Sequence, residues 1–248
     1  MEKIYKRPEA LQKRPSGYCP GCLHGVATKL IAELIDEFGI VDETVSVQPI
    51  GCGALMSMTI DTDQIISLHG RAPATATGIK RSAPEKFVFV YQGDGDLASI
   101  GLAEIMHCAN RGENLTVVFV NNSIFGMTGG QMAPTTLMGQ KATTAKDGRT
   151  PLQGYPMHIC EILNQLEAPI YIERCALDSP AHVQAAKKAI RKGFQNQLDK
   201  KGFSFIELLS NCPTNWGMSP VKSLEFMRNE TMKEFPLGVI RDRSQEEA

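Results

Sequence analysis

The stretch YQGDGDLASIG, residues 91–101, sets Asp94 and Asp96 among glycines, directly after the apolar run Phe87-Val88-Phe89-Val90. A glycine turn between a strand and a helix normally receives an anion, because backbone N–H groups point at it. Gly93-x-Gly95-x-x-Ala98 has the form of the dinucleotide fingerprint. Two carboxylates would repel a pyrophosphate unless a cation stood between them. Mg²⁺ suits that place, since it binds one or two carboxylates, neutral oxygens and phosphates. Asp94 can supply the carboxylate. The end of the next strand, NNSIFG at 121–126, offers the amide oxygen of Asn122 and a carbonyl two residues on, that of Ile124. An Asp-Gly turn with an Asx cap is the plainer reading of GDGD alone. The Asn pair, one helix and one strand later, favours the cation. No Walker A sequence is present.

Cysteine is the second chemistry-bearing type. Of seven, Cys19 and Cys22 (C-P-G-C), Cys52 (G-C-G) and Cys212 (N-C-P) sit beside turn residues. In a chain without a secretion signal such cysteines read as metal ligands or redox groups. Cys108, Cys160 and Cys175 lie in patterned segments and read as small buried residues. Spacing alone leaves a Cys₄ zinc site and a dithiol pair open beside other metal centres.

The elements that must position these groups follow from periodicity. Residues 24–38 carry a helical apolar stripe, and Val45–Ile50 reads as a strand. A helix is expected over 71–83, a strand over 87–91, a helix over 99–110 and a strand over 115–121. That succession is a βαβ unit with a right-handed crossover. Residues 126–156 are rich in Gly, Thr and Pro without periodicity, and a loop of that length in a compact domain is usually functional. A helix near 157–167, strands at 169–174 and 204–209 and a helix at 180–200 complete an α/β pattern, a mostly parallel sheet flanked by helices. Residues 1–17 are expected as an extended arm, 18–215 as the main domain and 216–248 as a tail.

Composition excludes several classes. A net charge of −1 gives no broad electrostatic case for nucleic acid or an anionic membrane surface. No apolar run reaches the roughly 18–20 residues of a membrane span. A cytoplasmic location is the expectation. Hydrophobic residues make up 42%, enough for a substantial core.

GDGD followed by NN is similar to the thiamine diphosphate motif. More closely, YQGDGDLASIGLAEIMHCANRGENLTVVFVNNSIFGMTGGQMAPTT resembles the β subunit of 2-oxoacid:ferredoxin oxidoreductases. The CPGC pair, the GCG turn, HGRAPATATGIK and the late Cys-Pro fit the same family, in its order. The resemblance implies a thiamine diphosphate-binding fold, with Asp94, the Asn122 side chain and the Ile124 carbonyl on Mg²⁺. It implies that Gly93, Gly95 and Asp96, with Gly126, Met127 and Thr128, line the diphosphate, and that His69 and Gly70 stand near the cofactor. His69 and Thr128 are the catalytic candidates. Pyruvate-using relatives tend to carry Asn where this chain has Met127. The resemblance further implies that Cys19, Cys22, Cys52 and Cys212 ligate one [4Fe–4S] cluster, which can carry electrons as zinc cannot. The chain lacks a C-x₂-C-x₂-C-x₃-C-P run, so ferredoxin-like clusters would belong to a partner.

The implied reaction converts a 2-oxoacid and coenzyme A to acyl-CoA and CO₂, with the electrons passing to ferredoxin. An α subunit would supply the pyrimidine half of the thiamine site, and γ and ferredoxin-like δ subunits complete many members. The turn after Cys52, Gly53-Ala54-Leu55-Met56, carries no cation for a distal carboxylate. A branched-chain substrate such as 2-oxoisovalerate is therefore favoured over 2-oxoglutarate. Two rival classes are a non-oxidative thiamine-dependent decarboxylase or synthase, and a zinc-stabilised interaction protein. The first does not need four turn cysteines, and the second does not need GDGD paired with NN. His24, His107, His158 and His182 read as structural, and Lys187-Lys188 with Arg191-Lys192 as a solvated helix face.

Overall fold

The computed structural model describes residues 6–245. Its centre is a seven-stranded sheet. In chain order the first elements are α1 (His24–Phe38), β1 (Thr44–Gln48), a 3₁₀ segment at Cys52–Met58 and β2 (Asp63–Ile66). There follow α2 (Ala72–Ser82), β3 (Phe87–Gly93), a π-helical turn at Gly95–Ile100, α3 (Leu102–Asn110) and β4 (Thr116–Asn121). After the long loop come α4 (Ile159–Leu163), β5 (Tyr171–Ala176), α5 (Pro180–Leu198) and β6 (Ser204–Leu209). Helices from Pro213 to Glu234 then lead to β7 (Gly238–Asp242).

The strand order is β2-β1-β3-β4-β6-β5-β7. All neighbours pair in parallel except β7, which joins β5 antiparallel. This is the mostly parallel α/β sheet expected from the alternation of strand and helix patterns. Parallel strands are covered on both faces, and β3 shows why its sequence is apolar throughout. Phe87, Phe89 and Tyr91 pack with Leu30, Ile31 and Leu34 of α1 and Phe194 of α5. Val88 and Val90 turn the other way, to Ala72 and Ala76 of α2 and Ile105 of α3. Successive side chains on a strand point to opposite faces, so one run feeds two cores. Helix α1 ends at Gly39, whose φ of 66° is the left-handed C-cap that glycine tolerates best.

Several elements differ from the periodic reading. The helix expected over 99–110 is preceded by the π turn. Strand β2 is four residues long, mostly exposed and at the sheet edge, so it carries no apolar alternation. Residues after 215 are not a free extension, since β7 closes the other edge with a bulge opposite Ile172/Glu173. The part of the N-terminal arm within the described residues is tied down: Asp36 accepts from the backbone N–H of Ala10 at 2.9 Å, and Gln12 N donates to Thr59 O. Residues 1–5 lie outside the described range. The basic run on α5 is partly engaged, since Lys187 pairs with Glu33 and Glu37, Arg191 with Glu37 and Lys192 with Asp242, while Lys188 and Arg191 lie on an exposed face. Cys108, Cys160 and Cys175 are buried. Among the described residues no helix is long and apolar enough to cross a membrane.

Candidate functional site

The chain passes from β1 outward to β2, then returns across β1 to β3. In open α/β sheets, ligands bind beyond the carboxyl ends of the strands at such a reversal. A cleft opens there. Ile50 to Gly53 after β1, Gly93 to Asp96 after β3, and Asn122 with Ile124 to Thr128 after β4 line it, together with His24 and His69.

Asp94 caps the π turn and is 2% exposed. Its carboxylate accepts from Gly95 N at 2.8 Å, Ile124 N at 3.2 Å and the Thr135 hydroxyl at 2.6 Å. Burial pushes its pKa up from 3.8 to about 6, against the pull of those donors. The two asparagines at the end of β4 part company. Asn121 turns into the core, where its amide donates to Glu207 Oε1 at 2.8 Å. Asn122 lines the cleft, and its Oδ1 is buried without a hydrogen-bond partner. A buried acceptor left unpaired calls for a specific cause. A hard cation held between the Asp94 carboxylate and the Asn122 amide oxygen supplies one. Gly93 leaves space on this wall: a Cβ there would meet only Val120 O, at 4.0 Å. These residues fit a magnesium diphosphate.

Asp96 is occupied differently. Its Oδ1 accepts from Gly70 N at 2.9 Å and lies 2.5 Å from His69 Nδ1. Its Oδ2 accepts from Gln92 Nε2 at 2.5 Å. Gly95 also has a packing role, since a Cβ would stand 2.5 Å from the Phe125 ring. Thr128 donates its hydroxyl to Gln131 Oε1 at 2.6 Å, and Met127 is half exposed on the rim.

The four turn cysteines approach one corner beside this cleft. Asn211, at the end of β6, accepts from Leu23 N at 3.2 Å and donates to Gly21 O at 3.1 Å. It thereby ties the Cys19–Cys22 loop to the segment bearing Cys212. Cys52 and Cys212 flank Gly126, where a Cβ would stand 3.1 and 3.6 Å from their sulfurs. Asn215 donates to Gly126 O at 2.6 Å and to Cys212 Sγ at 3.4 Å. All four thiols are free. Burial, with smaller contributions from neighbouring thiols, pushes Cys22 up to about 11 and Cys52 up to about 12. Among the described residues no three or more His, Cys, Asp or Glu side chains form a group that could hold a metal ion. Thiols are the donors that an iron–sulfur cluster takes, and these four are free.

One side chain in the loop from 126 to 156 ties several of its carbonyls together. Arg149 is 5% exposed and donates to the carbonyls of Pro134, Thr136, Gly154 and Tyr155 at 2.6–2.7 Å. Thr135, which reaches Asp94, lies between two of those anchors. Sequence reasoning missed Thr135, Arg149, Asn211 and Asn215, and Trp216, whose indole donates to Asn122 O at 3.2 Å. None stands in a pattern that marks it. His24 was read as structural. It is buried, stacked on Tyr18, and its Nδ1 lies 2.6 Å from the Tyr91 hydroxyl, yet its ring also lines the cleft.

Residues 50–208 match the family described as thiamine pyrophosphate enzyme, C-terminal TPP binding domain. The chain is 46% identical, over 99% of its length, to the ketoisovalerate oxidoreductase subunit VorA of Methanothermobacter thermautotrophicus, covering 54% of that protein. It is 37% identical, over 98% of its length, to the 2-oxoglutarate synthase subunit KorB of Methanocaldococcus jannaschii, covering 86% of it. The chain thus spans about half the length of the VorA relatives. Among solved structures, the 2-oxoglutarate:ferredoxin oxidoreductase from Magnetococcus marinus with 2-oxoglutarate, coenzyme A and succinyl-CoA bound is similar. Its TM-score is 0.79 at 25% identity, over 97% of this chain and 86% of that one. A parallel sheet with its acidic glycine turn and asparagine at one cleft, and relatives that share nearly the whole chain, have one reading: this chain belongs to the thiamine pyrophosphate-binding subunits of the 2-oxoacid:ferredoxin oxidoreductase family.

Proposed function

We propose that this chain binds thiamine diphosphate through Mg²⁺, carries one [4Fe–4S] cluster, and serves the oxidative decarboxylation of a branched-chain 2-oxoacid such as 2-oxoisovalerate. Coenzyme A would take the acyl group, CO₂ would leave, and two electrons would pass one at a time to ferredoxin. The observation that carries the cofactor assignment is the unpaired Asn122 Oδ1 on the same cleft as the buried Asp94.

Asp94 and Asn122, with the Ile124 carbonyl, would hold the metal, and Gly93, Gly95 and Gly126 to Thr128 would border the diphosphate. Bound there, thiamine diphosphate supplies a nucleophilic carbon able to cleave the bond between a ketone and its carboxylate. A cluster on Cys19, Cys22, Cys52 and Cys212 supplies a one-electron acceptor beside the cleft. The chain's own part would be to hold the cation that offsets the diphosphate charge, to orient the diphosphate by backbone contacts and to keep the cleft walls apolar. His24 lines the cleft and is hydrogen-bonded behind it to the buried Tyr91, burial holding His24 down at about 4.

The substrate reading rests on what lines the cleft. Ile50, Ile124, Phe125 and Met127 border it, and no lysine or arginine is among its lining residues. A dicarboxylate would gain from such a cation. The two VorA relatives carry a ketoisovalerate name. The second reading, 2-oxoglutarate, is supported by the KorB relatives and the Magnetococcus structure. An α subunit completing the thiamine site, further γ and δ subunits, and a cytoplasmic location remain parts of this proposal.

The test is anaerobic purification of the chain co-expressed with its partner subunits. Iron and zinc are measured per chain, then coenzyme A-dependent reduction of ferredoxin with each 2-oxoacid. About four irons on this chain, beyond those of any ferredoxin-like partner subunit, with 2-oxoisovalerate activity is the expected result. One zinc and no iron would remove the electron path. Turnover of 2-oxoglutarate but not 2-oxoisovalerate would overturn the substrate.

A further inference from the structure

The two asparagines that follow one another at the end of β4 hold different things. Asn122 lines the cleft, and Asn121 is fully buried behind it. Asn121 Oδ1 accepts from Ser123 N at 3.2 Å, and the Ser123 hydroxyl lies 3.5 Å from the same oxygen. An asparagine that bonds the backbone two residues on forms an Asx turn. The other end of its amide is held as well, since Nδ2 donates to Glu207 Oε1 at 2.8 Å. Glu207 is fixed on β6, where its Oε2 accepts from Arg174 Nε at 2.7 Å and from Cys160 Sγ at 3.1 Å.

The Asx bond falls on a residue that needs it. Ser123 has a φ of 59°, in the left-handed region, and is one of two non-glycine residues there among those described. A Cβ meets a steric penalty in that region that glycine avoids. Such a conformation persists only where its surroundings over-determine it. The neighbours of the bend are each held separately. Asn122 O accepts from Trp216 Nε1 at 3.2 Å, Ser123 O accepts from the Thr136 hydroxyl at 2.7 Å, and Ile124 N donates to Asp94 Oδ2 at 3.2 Å. Ser123 itself is fully buried, while the residues on either side of it, Asn122 and Ile124, both line the cleft. The left-handed residue therefore sets how the two stand relative to each other.

We infer that Asn121 is a positioning residue for the cation site: it holds Ser123 in the left-handed bend that presents Asn122 and Ile124 to one cation. The asparagine pair is thereby divided. Asn121 commits both ends of its amide to the protein, and Asn122 leaves its oxygen unpaired for a ligand. A role confined to the core would make stability depend on Asn121, but not cation affinity, and would be indifferent to the residue at 123.

The inference rests on the thiamine diphosphate reading, and the experiment separates the two. Mn²⁺, visible by electron paramagnetic resonance and a stand-in for Mg²⁺, is titrated with thiamine diphosphate into the assembled complex. Thermal midpoints of the cofactor-free complexes are measured beside it. Asn121→Ala should bind Mn²⁺ about 10-fold more weakly, the scale of a group that orients a metal ligand. Ser123→Gly should bind as the native chain does, since glycine adopts the bend freely. In the double variant affinity should return to within about 3-fold of native, because the two changes are coupled. The drop in thermal midpoint from the unpaired Glu207 Oε1 should remain. Ser123→Thr keeps Asn121 and the hydroxyl but adds a β-branch, which disfavours a positive φ. It should also weaken Mn²⁺ binding by about 10-fold, and it tests the bend even where Asn121→Ala does not assemble. Native-like affinity in Asn121→Ala, no recovery in the double variant, or native-like affinity in Ser123→Thr would each overturn the inference. A native complex that takes up neither Mn²⁺ nor thiamine diphosphate would instead overturn the functional reading beneath it.

Discussion

The Thr135 hydroxyl stands 2.6 Å from Asp94 Oδ2 although 41 residues separate them in the chain. Among the described residues it is the one side-chain donor on that carboxylate, beside backbone N–H groups that include those of Gly95 and Ile124. Groups that orient a metal ligand typically contribute 10–100-fold to metal affinity. Thr135→Val should keep the fold and weaken Mg²⁺-dependent thiamine diphosphate binding by about 10-fold. Titration of the cofactor at several Mg²⁺ concentrations checks this. Unchanged affinity would show that Asp94 needs no such tie.

Asn122 offers a cleaner separation of binding from folding. Its Oδ1 makes no hydrogen bond within the protein, so Asn122→Ala should leave the thermal midpoint of the cofactor-free protein almost unmoved. Cofactor affinity should fall by about 10–100-fold. Trp216 is the single tryptophan and donates to the Asn122 carbonyl, so its fluorescence reports on the site in both proteins.

Cysteine variants divide by environment. Cys52→Ser and Cys212→Ser should each lower iron content and remove the visible absorption of a cluster. Cys108→Ala should leave iron unchanged, since Cys108 is fully buried between α2 and α3 with Thr77 as its polar neighbour. That change should cost about 1–2 kcal/mol of stability, as expected for a small core truncation. Iron lost from Cys108→Ala at unchanged stability would place the cluster elsewhere.

Arg149 holds the long loop by donating to carbonyls from both of its ends. A lysine keeps the charge but cannot reproduce the planar fork. Arg149→Lys should destabilise the protein by about 2–3 kcal/mol through carbonyls left unpaired. Hydrogen exchange should accelerate at the backbone N–H groups of Gly139 and Met157, which donate to Arg149 O and Pro134 O. Protection equal to the native chain would assign the loop's order to its other contacts.

Asp178 joins α5 to the C-terminal helices. Its carboxylate lies 2.5 Å from His182 Nδ1 and 2.6 Å from Arg228 Nε. Burial opposes ionisation, but the bonds from Arg228 and His182 outweigh it, and the pKa falls below 3.8. A carboxylate with a depressed folded pKa stabilises fully above its unfolded value and loses that contribution as pH falls through the folded one. Denaturant midpoints of the native chain should therefore drop below pH 4 more steeply than those of Asp178→Asn. Parallel curves would assign acid sensitivity to other groups.

Strand and helix placement was legible from the chain because it depends on local periodicity. The spans of α1, β6 and most of β3 and β4 follow from which positions are apolar. The meeting of Asp94 and Asn122 at one cleft was legible for a related reason: each follows the end of a strand, and adjacent parallel strands end together. The short edge strands β2 and β7 were not legible, because a strand with one partner and exposed faces has no apolar signature. Nor were the partners of the site. Thr135, Arg149, Asn211 and Asn215 act through hydrogen bonds to residues as far as 190 positions away, which leave no spacing rule. The division between Asp94 and Asp96 was decided only by tertiary structure. A π turn and the close packing of Gly70 against Gly101, where a Cβ on Gly101 would stand 2.5 Å from Gly70 O, set which carboxylate faces the cleft and which grips the His69 segment. Side-chain direction at such a turn depends on what packs against it, and here that is a segment some 26 residues earlier in the chain.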